Sequence, residues 1–518
     1  MGSITCYGGV GKIGGNRILL QIKDASIFLD FGLNFGEEGR FFEEYLQPRS
    51  TSKLHDLLKL DLLPELHGIY REDVIRPRGI EDIGDCSAKP LWDCDLQSYE
   101  DAKKEDEWYP DALFVSHAHL DHTGYIPYLG DMPLLCSQTT NDLMEAMAEV
   151  GNLAGFDSDL TKMSRRYVDY YGGRAYFPGT PKIESMDEEE RKKDLLGNRE
   201  VSEVGDNGVS IEAFEVGHSV PGALSALIES DDKQVVYTGD LRFHGRSETK
   251  IRSQLRDLRP DVMLCEGTRI DREEPDDEEQ VEKDLADTFS DVDGLAMVGF
   301  AWKDLERYET VKRAAEEVGR TPVFDPRLAY LKARLDKSIY KEGAKAFVER
   351  TENMLYSPGD YTRVKHKVGE IPVSEWSSRA DVKDTKHLNN GVTAVDIRED
   401  PGDYVLQLDY YRFKNLIDLD PPEGSIYVRA QAEPFNPEME LSEGRLINWL
   451  QHFGINEDNG NEPIQIHASG HACGPELQEL IDAIKPKKLI PIHTEHPEEF
   501  ENDSGEVRSP RKAEAIEF

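Results

Sequence analysis

Ser116-His117-Ala118-His119-Leu120-Asp121-His122 directly follows the apolar run Ala112-Leu113-Phe114-Val115, and its reading decides the fold. Three of the chain's 14 histidines and an aspartate share this short segment. The apolar run is short, ends on a β-branched residue and follows a proline, which predicts a buried strand. The histidines then leave the strand's carboxyl end on a loop, where α/β sheets hold their sites. Imidazole and carboxylate suit zinc, manganese or iron. The i, i+2 spacing lets two histidines on an extended loop face one ion, while Asp121 and His122 face another. A polar loop with scattered histidines is the plainer reading, and the density of ligands in this stretch argues against it.

Further along, the pattern of strand, glycine and one polar residue repeats. Val209 to Val216 alternates as a strand and leads into Gly217-His218-Ser219. Gln234-Val235-Val236-Tyr237-Thr238 ends in Gly239-Asp240, and Asp261 to Cys265 ends in Glu266-Gly267. A Gly-Asp turn after a strand is commonplace alone. In this order after His117–His122, the set resembles the metallo-β-lactamase superfamily. The resemblance implies two metal ions at the edge of a β-sandwich flanked by helices, an αββα arrangement. His117, His119 and His218 would hold one ion, Asp121 and His122 would help to hold the other, and Asp240 would bridge them. Zinc is the implied metal, with manganese as the alternative.

From Leu295 to about Ile447, strands alternate with amphipathic helices, as in Leu295–Phe300, Leu305–Val318 and Thr321–Phe324. That alternation predicts a parallel-sheet α/β domain. Candidate ligands are sparse there; His366, His387 and His452 are isolated and read as surface residues. Chemistry returns with His467-Ala468-Ser469-Gly470-His471 before a helix over 475–484, and with Pro491-Ile492-His493-Thr494 after a final strand. A sandwich-type site, an inserted α/β domain and a return to the site resemble the β-CASP nucleases. Ser469-Gly470-His471 and Pro491-Ile492-His493 are most similar to the RNase J ribonucleases, archaeal members especially. The implied division is a metallo-β-lactamase domain over 1–290, a β-CASP domain over 291–450 and a return segment over 451–518. Thr494 stands where that family commonly has glycine, and the chain stops soon after His493, which predicts no further C-terminal domain.

By this resemblance the chain is a two-metal phosphodiester hydrolase acting on single-stranded RNA, a 5′-to-3′ exonuclease of RNA processing or decay. Endonuclease action and DNA as substrate are the alternatives; a small-molecule metallohydrolase fits less well, since an inserted domain forms a long cleft. Asp121 would also orient the attacking water. His471 would supply a proton to the leaving oxygen, with Glu266 holding its tautomer. His493 would complete the second metal's shell. Ser469, Gly470 and His471 would bind a substrate phosphate at a helix N-terminus, and His467 and His496 are evenly balanced between a supporting role and none.

Composition narrows the setting. With 518 residues there is length for two or more domains. The net charge of −41 argues against a broad nucleic-acid-binding face while permitting a local one. Arg242, Arg246, Lys250, Arg252, Arg256 and Arg259 run against that charge and could line a groove for the strand, or form a solvated face. No apolar run is long enough to span a membrane. The N-terminus lacks a secretory pattern, and six scattered cysteines make no disulfide framework. These features read as cytoplasmic, with no membrane partner; a homodimer stays open.

Three local expectations complete the reading. Gly9-Val10-Gly11-Lys12-Ile13-Gly14 matches a dinucleotide fingerprint, but a strand and hairpin follow instead of the required helix, so no cofactor role is assigned. Residues 139–170 carry helical patterns, and 184–208 read as a solvated loop or helix. Residues 81–110 read as an acidic insertion with little core-forming content.

Overall fold

The computed structural model describes residues 2–518 except 44, 50–52, 76–93, 151–161, 170–181, 206–207, 247–248, 274–276, 336–343, 351–390 and 433–436. Two seven-stranded sheets face each other. The first runs Ala515–Glu517, Gly2–Gly8, Arg17–Ile22, Ala25–Phe31, Ala112–Phe114, Leu134–Cys136 and Lys193–Leu195. The second runs Glu506–Val507, Lys488–Ile492, Val262–Glu266, Gln234–Tyr237, Leu224–Glu229, Val209–Glu215 and Val201–Val204. Each begins as antiparallel hairpins and turns parallel where the chain crosses over.

Alternation explains the layering. Ile18, Leu20 and Ile22 of one sheet pack between the sheets against Ile211, Ala213, Ala226, Ile228 and Val262 of the other. The intervening Leu19 points outward and joins the helix Lys53–Lys59 through Leu54, Leu57 and Leu58. On the far side, Met263 and Leu489 meet Leu477, Leu480, Ile481 and Ile484 of the helix Gly474–Ile484. The result is the expected helix–sheet–sheet–helix sandwich.

A third seven-stranded sheet has the order Gly391–Thr393, Lys345–Val348, Thr321–Phe324, Tyr404–Gln407, Ala296–Gly299, Ile426–Arg429 and Ile464–Gln465. Its pairings are all parallel. Such a sheet must be covered on both faces. The helices Glu278–Ser290 and Leu305–Glu317 cover one face through Leu285, Phe289, Tyr308 and Val311, and that core is continuous with the first sandwich layer. Leu416, Leu419, Leu446 and Leu450 cover the other. The helix Pro437–His452 and the strand Ile464–Gln465 carry this sheet past residue 450, where the sequence reading placed the return segment.

Three local expectations change. Among the described residues of 139–170, Gln138–Val150 covers the helical part, and Lys162–Asp169 is a strand paired antiparallel with Lys182–Glu190. The charged stretch after 184 is likewise mostly strand, continuing through Lys193–Leu195 and Val201–Val204. Pairing across a ladder decides these segments, and local periodicity does not register it. Within 81–110, residues 81–93 lie outside the described residues, but the remainder carries core: Leu96, Tyr99 and Ala102 are buried, on and beside a helix capped by Ser98. The Gly9–Gly14 loop does lead into a strand, Arg17–Ile22, and not a helix. Cys86, His366 and His387 lie outside the described residues, and His452 is exposed. Among the described residues no helix is long and apolar enough to cross a membrane.

Candidate metal centre

Parallel strands of both sandwich sheets end at one edge. Ala112–Phe114 delivers His117, His119, Asp121 and His122; Gln234–Tyr237 delivers Asp240; Val262–Glu266 ends on Glu266; and Lys488–Ile492 is followed by His493. The short helix Leu120–Thr123 starts immediately after His119 and carries Asp121 and His122 beside the other metal-competent side chains. That placement needs Gly32: a Cβ there would collide with the Asp121 carbonyl. Asp30 and His493 both sit in the left-handed region, at φ 57° and 51°. Non-glycine residues hold such backbone only where the surroundings impose it, often at functional sites.

All seven metal-competent residues read from the sequence converge. His119 Nδ1 lies 3.0 Å from His117 Nε2 and 3.1 Å from His218 Nε2. Two nitrogens on a tetrahedral zinc at ~2.05 Å stand roughly 3.3 Å apart, so this triangle has the size of one face of a zinc shell. Beside it, Asp121 Oδ2 is 3.2 Å from His493 Nε2 and 3.9 Å from His122 Nε2. Asp240 Oδ2 stands between the groups, 3.1 Å from His122 Nε2, 3.7 Å from His117 Nε2, 3.8 Å from His493 Nε2 and 3.9 Å from His218 Nε2. One carboxylate oxygen within reach of both clusters is the arrangement a bridging ligand requires.

The electrostatics fit cations. Asp30, Asp240 and Glu266 are almost fully buried, and isolated buried carboxylates are costly unless compensated. Among the described residues, Asp240 Oδ1 and His122 Nε2 have no hydrogen-bond partner. Burial, reinforced by neighbouring imidazoles, pushes His117 and His119 well below the ordinary histidine range, and His218 to about 3. Neutral imidazoles are the form that binds metal. His122 goes the other way: burial opposes its charge, but Asp240, Asp30 and Asp121 outweigh burial and hold the ring well above the ordinary value. A pocket that favours positive charge this strongly suits a divalent cation. Burial would likewise raise Asp121 and Asp240, yet the surrounding histidines, His122 first, hold both below the carboxylate range.

Four of the rings, those of His117, His122, His218 and His493, also have a second anchor. His122 Nδ1 bonds Asp30 Oδ2 at 2.6 Å; Ser116 Oγ and the Tyr237 hydroxyl donate to the same oxygen at 2.7 and 2.5 Å. His117 Nδ1 faces Ser116 Oγ at 3.0 Å, His218 Nδ1 donates to the Gly470 carbonyl at 2.6 Å, and His493 Nδ1 meets Thr268 Oγ1 at 2.8 Å. Such contacts fix tautomer and orientation. Asp30, Tyr237 and Thr268 were missed from sequence. Asp30 had a signal, since Asp30-Phe31-Gly32 follows a strand much as Glu266-Gly267 does. Replacing Asp30 with asparagine is expected to weaken metal binding ~10- to 100-fold, measured by competition with a chromophoric chelator; unchanged affinity would deny Asp30 this role.

Glu266 and His471 form a pair at the same edge. Glu266 Oε1 is 3.1 Å from His471 Nδ1 and accepts from the Leu241 amide, while Oε2 accepts from the Thr268 amide. Burial would lower His471, but the Glu266 carboxylate bonded to it outweighs burial and holds the ring above the ordinary value. That favours the charged ring, the form with a proton to give. His471 Nδ1 is 4.0 Å from Asp240 Oδ2, which places the pair directly against the metal-competent cluster.

The segment before His471 is held from behind. Arg242 Nη1 and His244 Nε2 both reach the Ser469 carbonyl, at 2.8 and 3.0 Å, and Arg307 Nη2 donates to the Ala468 carbonyl at 3.0 Å. Ser469 Oγ accepts from the His471 amide, and Gly470 packs on Ser219 and the His218 ring, where a Cβ would crowd. The basic run at 242–259 is thus not one groove. Arg242 is buried against Glu306, Arg246 pairs with Glu282, and Arg252 pairs with Glu479 over the Phe243 ring. His467 lies 3.3 Å from Arg307 Nη1 and His496 lies 3.3 Å from Glu498; neither joins the cluster. Lys303, in the loop between the strand Ala296–Gly299 and the helix Leu305–Glu317, feels Asp121: burial pushes its amine down to about 8 and that carboxylate opposes the fall.

Comparison with known proteins agrees with this geometry. Residues 90–294 match the model of the beta-lactamase superfamily domain, and residues 463–499 match the Zn-dependent metallo-hydrolase RNA specificity domain. The chain is 20% identical over 502 residues to Ribonuclease J 2 of Staphylococcus saprophyticus, covering 95% of this chain and 69% of that protein. It is 22% identical over 503 residues to Ribonuclease J 2 of Staphylococcus aureus strain MRSA252, with the same coverage. A crystal structure of a protein of unknown function from Enterococcus faecalis V583 superposes with a TM-score of 0.67 at 22% identity, covering 99% of each chain. Residues 90–294 thus carry a beta-lactamase superfamily domain, and the chain as a whole is similar to ribonucleases J of the β-CASP group.

Proposed function

We propose that this metallo-hydrolase is a two-metal ribonuclease that degrades single-stranded RNA from a 5′-monophosphate end. The observation that carries the reading is the pair of donor clusters sharing Asp240 Oδ2, set beside the Glu266–His471 pair. His117, His119, His218 and Asp240 would hold one zinc, and Asp121, His122, His493 and Asp240 the other. Manganese suits the same donors. Bound there, the ions would acidify a water and neutralise charge on the phosphoryl oxygens. Asp121 would orient that water. Charged His471 would deliver its proton to the leaving 3′ oxygen while Glu266 keeps Nδ1 engaged, leaving Nε2 to face substrate. Ser469, Gly470 and His471 are assigned to a substrate phosphate, a role supported by the several contacts that hold this segment in place.

The chain's division is proposed as sandwich, insertion and return. The sandwich takes residues 1–290, the inserted sheet runs from 291 to about 465, and the remainder returns to the sandwich. The RNA-specificity match over 463–499 contains both His471 and His493, which favours RNA over DNA. Cys6, Cys136, Cys265 and Cys473 form no disulfide, which supports a cytoplasmic setting.

A time course on 3′-labelled single-stranded RNA tests the reading. With Zn²⁺ or Mn²⁺ present, the label is expected to shorten steadily, fastest with a 5′-monophosphate and slower with a 5′-triphosphate or 5′-hydroxyl. Discrete internal cuts indifferent to the 5′ group would make it an endonuclease. Cleavage of DNA alone would overturn RNA as the substrate.

A further inference from the structure

Behind the Gly8–Gly15 loop lies a cleft of about 250 Å³ whose lining includes none of the metal-competent residues. Three cations from remote segments meet there: Lys12 from the loop, Arg17 from the second strand and Lys512 from the C-terminal segment. In a chain of net charge −41 that convergence is against the trend. Two acids, Glu37 and Asp61, also line it. Among the described residues, only Lys12 of the three closes an ion pair with a carboxylate, that of Glu37.

The other two cations spend their hydrogen bonds on neutral carbonyls. Arg17, 4% exposed, donates to Gly32 O at 2.6 Å and Tyr7 O at 3.3 Å, and among the described residues its Nε has no partner. Lys512 Nζ donates to Asp61 O at 2.7 Å. Its amine is held below the ordinary lysine value by burial first and then by the charge of Arg17, with Lys12 adding to the effect and Asp61 opposing it. Lys12, Arg17 and Lys512 outnumber Glu37 and Asp61 in the lining, and a bound anion offsets that surplus of positive charge. Tyr7 and Tyr125 add aromatic surface to the lining. The volume is too small for several stacked bases and suits one phosphate with the sugar it carries.

We propose that this cleft binds the phosphate group of a nucleotide, at a site separate from the metal centre. The loop that walls it also touches that centre. The His493 amide donates to Gly9 O at 2.8 Å, and the Gly15 and Asn16 amides both donate to the Asp121 carbonyl at 3.0 Å. Occupancy of the cleft therefore bears on the backbone of two metal-competent residues. A mononucleotide released by RNA hydrolysis and a phosphate within a bound strand present the same chemistry to these cations.

Calorimetric titration of the metal-loaded protein separates the sources and tests the site. The probes are inorganic phosphate, AMP and a 5′-hydroxyl dinucleotide with a phosphorothioate linkage. Lys12 and Lys512 are exposed, so the double variant K12A/K512A keeps the fold. It is expected to lose one binding component at least ~10-fold in affinity, as suits removal of charge-assisted contacts. Glu37→Gln, which deletes an anion from the lining, is expected to tighten the same component. Loss seen with phosphate and AMP identifies a free monophosphate; loss seen only with the dinucleotide identifies a strand phosphate. Isotherms unchanged in K12A/K512A, or weakened by Glu37→Gln, overturn the proposal.

Discussion

His119→Ala is expected to remove bound metal and activity together. His119 Nδ1 is the shared corner of the nitrogen triangle, within 3.1 Å of both His117 Nε2 and His218 Nε2. Removing it leaves that cluster two imidazoles and a carboxylate at one end, and the loss spreads, because Asp240 answers to both clusters. The Asp240 and Glu266 carboxylates, buried to 1% and 0% exposure, then lack the cation that offsets their burial. Measured by elemental analysis after dialysis, the variant should hold less than about half of the wild-type metal, with RNA turnover at background. Full metal content with no activity would show that His119 acts on substrate and not as a ligand. A stability change should accompany the loss, since binding energy at such sites is folding energy: the wild-type melting temperature should fall with chelator, and that of the variant should not.

Most of the metal-competent residues were legible because the chemistry is written locally. His117 and His119 sit in one loop with Asp121 and His122 on the short helix that follows, and Asp240, Glu266 and His493 stand at or just after the ends of Gln234–Tyr237, Val262–Glu266 and Lys488–Ile492. The inserted sheet was legible for a similar reason, since parallel strands buried on both faces are continuous apolar runs. What escaped was long-range. Asp30 supports His122 across 92 positions and Thr268 supports His493 across 225, and neither residue type announces such a partner. The basic run at 242–259 misled because charge counts do not tell a cation facing solvent from one buried against Glu306. The strands at 162–169 and 182–190 escaped because their pairing lies with each other and not in their own periodicity. The Gly9–Gly14 loop leads into a strand as its sequence implies, yet its service to Asp121 and His493 rests on backbone bonds that no side-chain pattern records.

His471→Ala is the sharper test of mechanism, because it should separate the metals from the chemistry. Its Nδ1 is already engaged by Glu266 Oε1 at 3.1 Å, and Glu266 is itself fixed by the Leu241 and Thr268 amides. A ring tied at one nitrogen to a buried carboxylate presents the other nitrogen outward, as a proton donor does and as a ligand through Nδ1 does not. Its distance to Asp240 Oδ2, 4.0 Å, is longer than that of any of the four histidines assigned as ligands beside that oxygen. The variant should therefore keep its metal content while single-turnover cleavage falls ~100-fold or more, the usual range of a general acid. Glu266→Gln should give a smaller loss, also with metal retained, since the amide can still orient the ring but no longer favours its charge. Combining the two should cost little beyond His471→Ala alone, because Glu266 acts through that ring. If His471→Ala instead strips metal from the protein, the residue belongs to the coordination shell, and the proton must reach the leaving oxygen by another route.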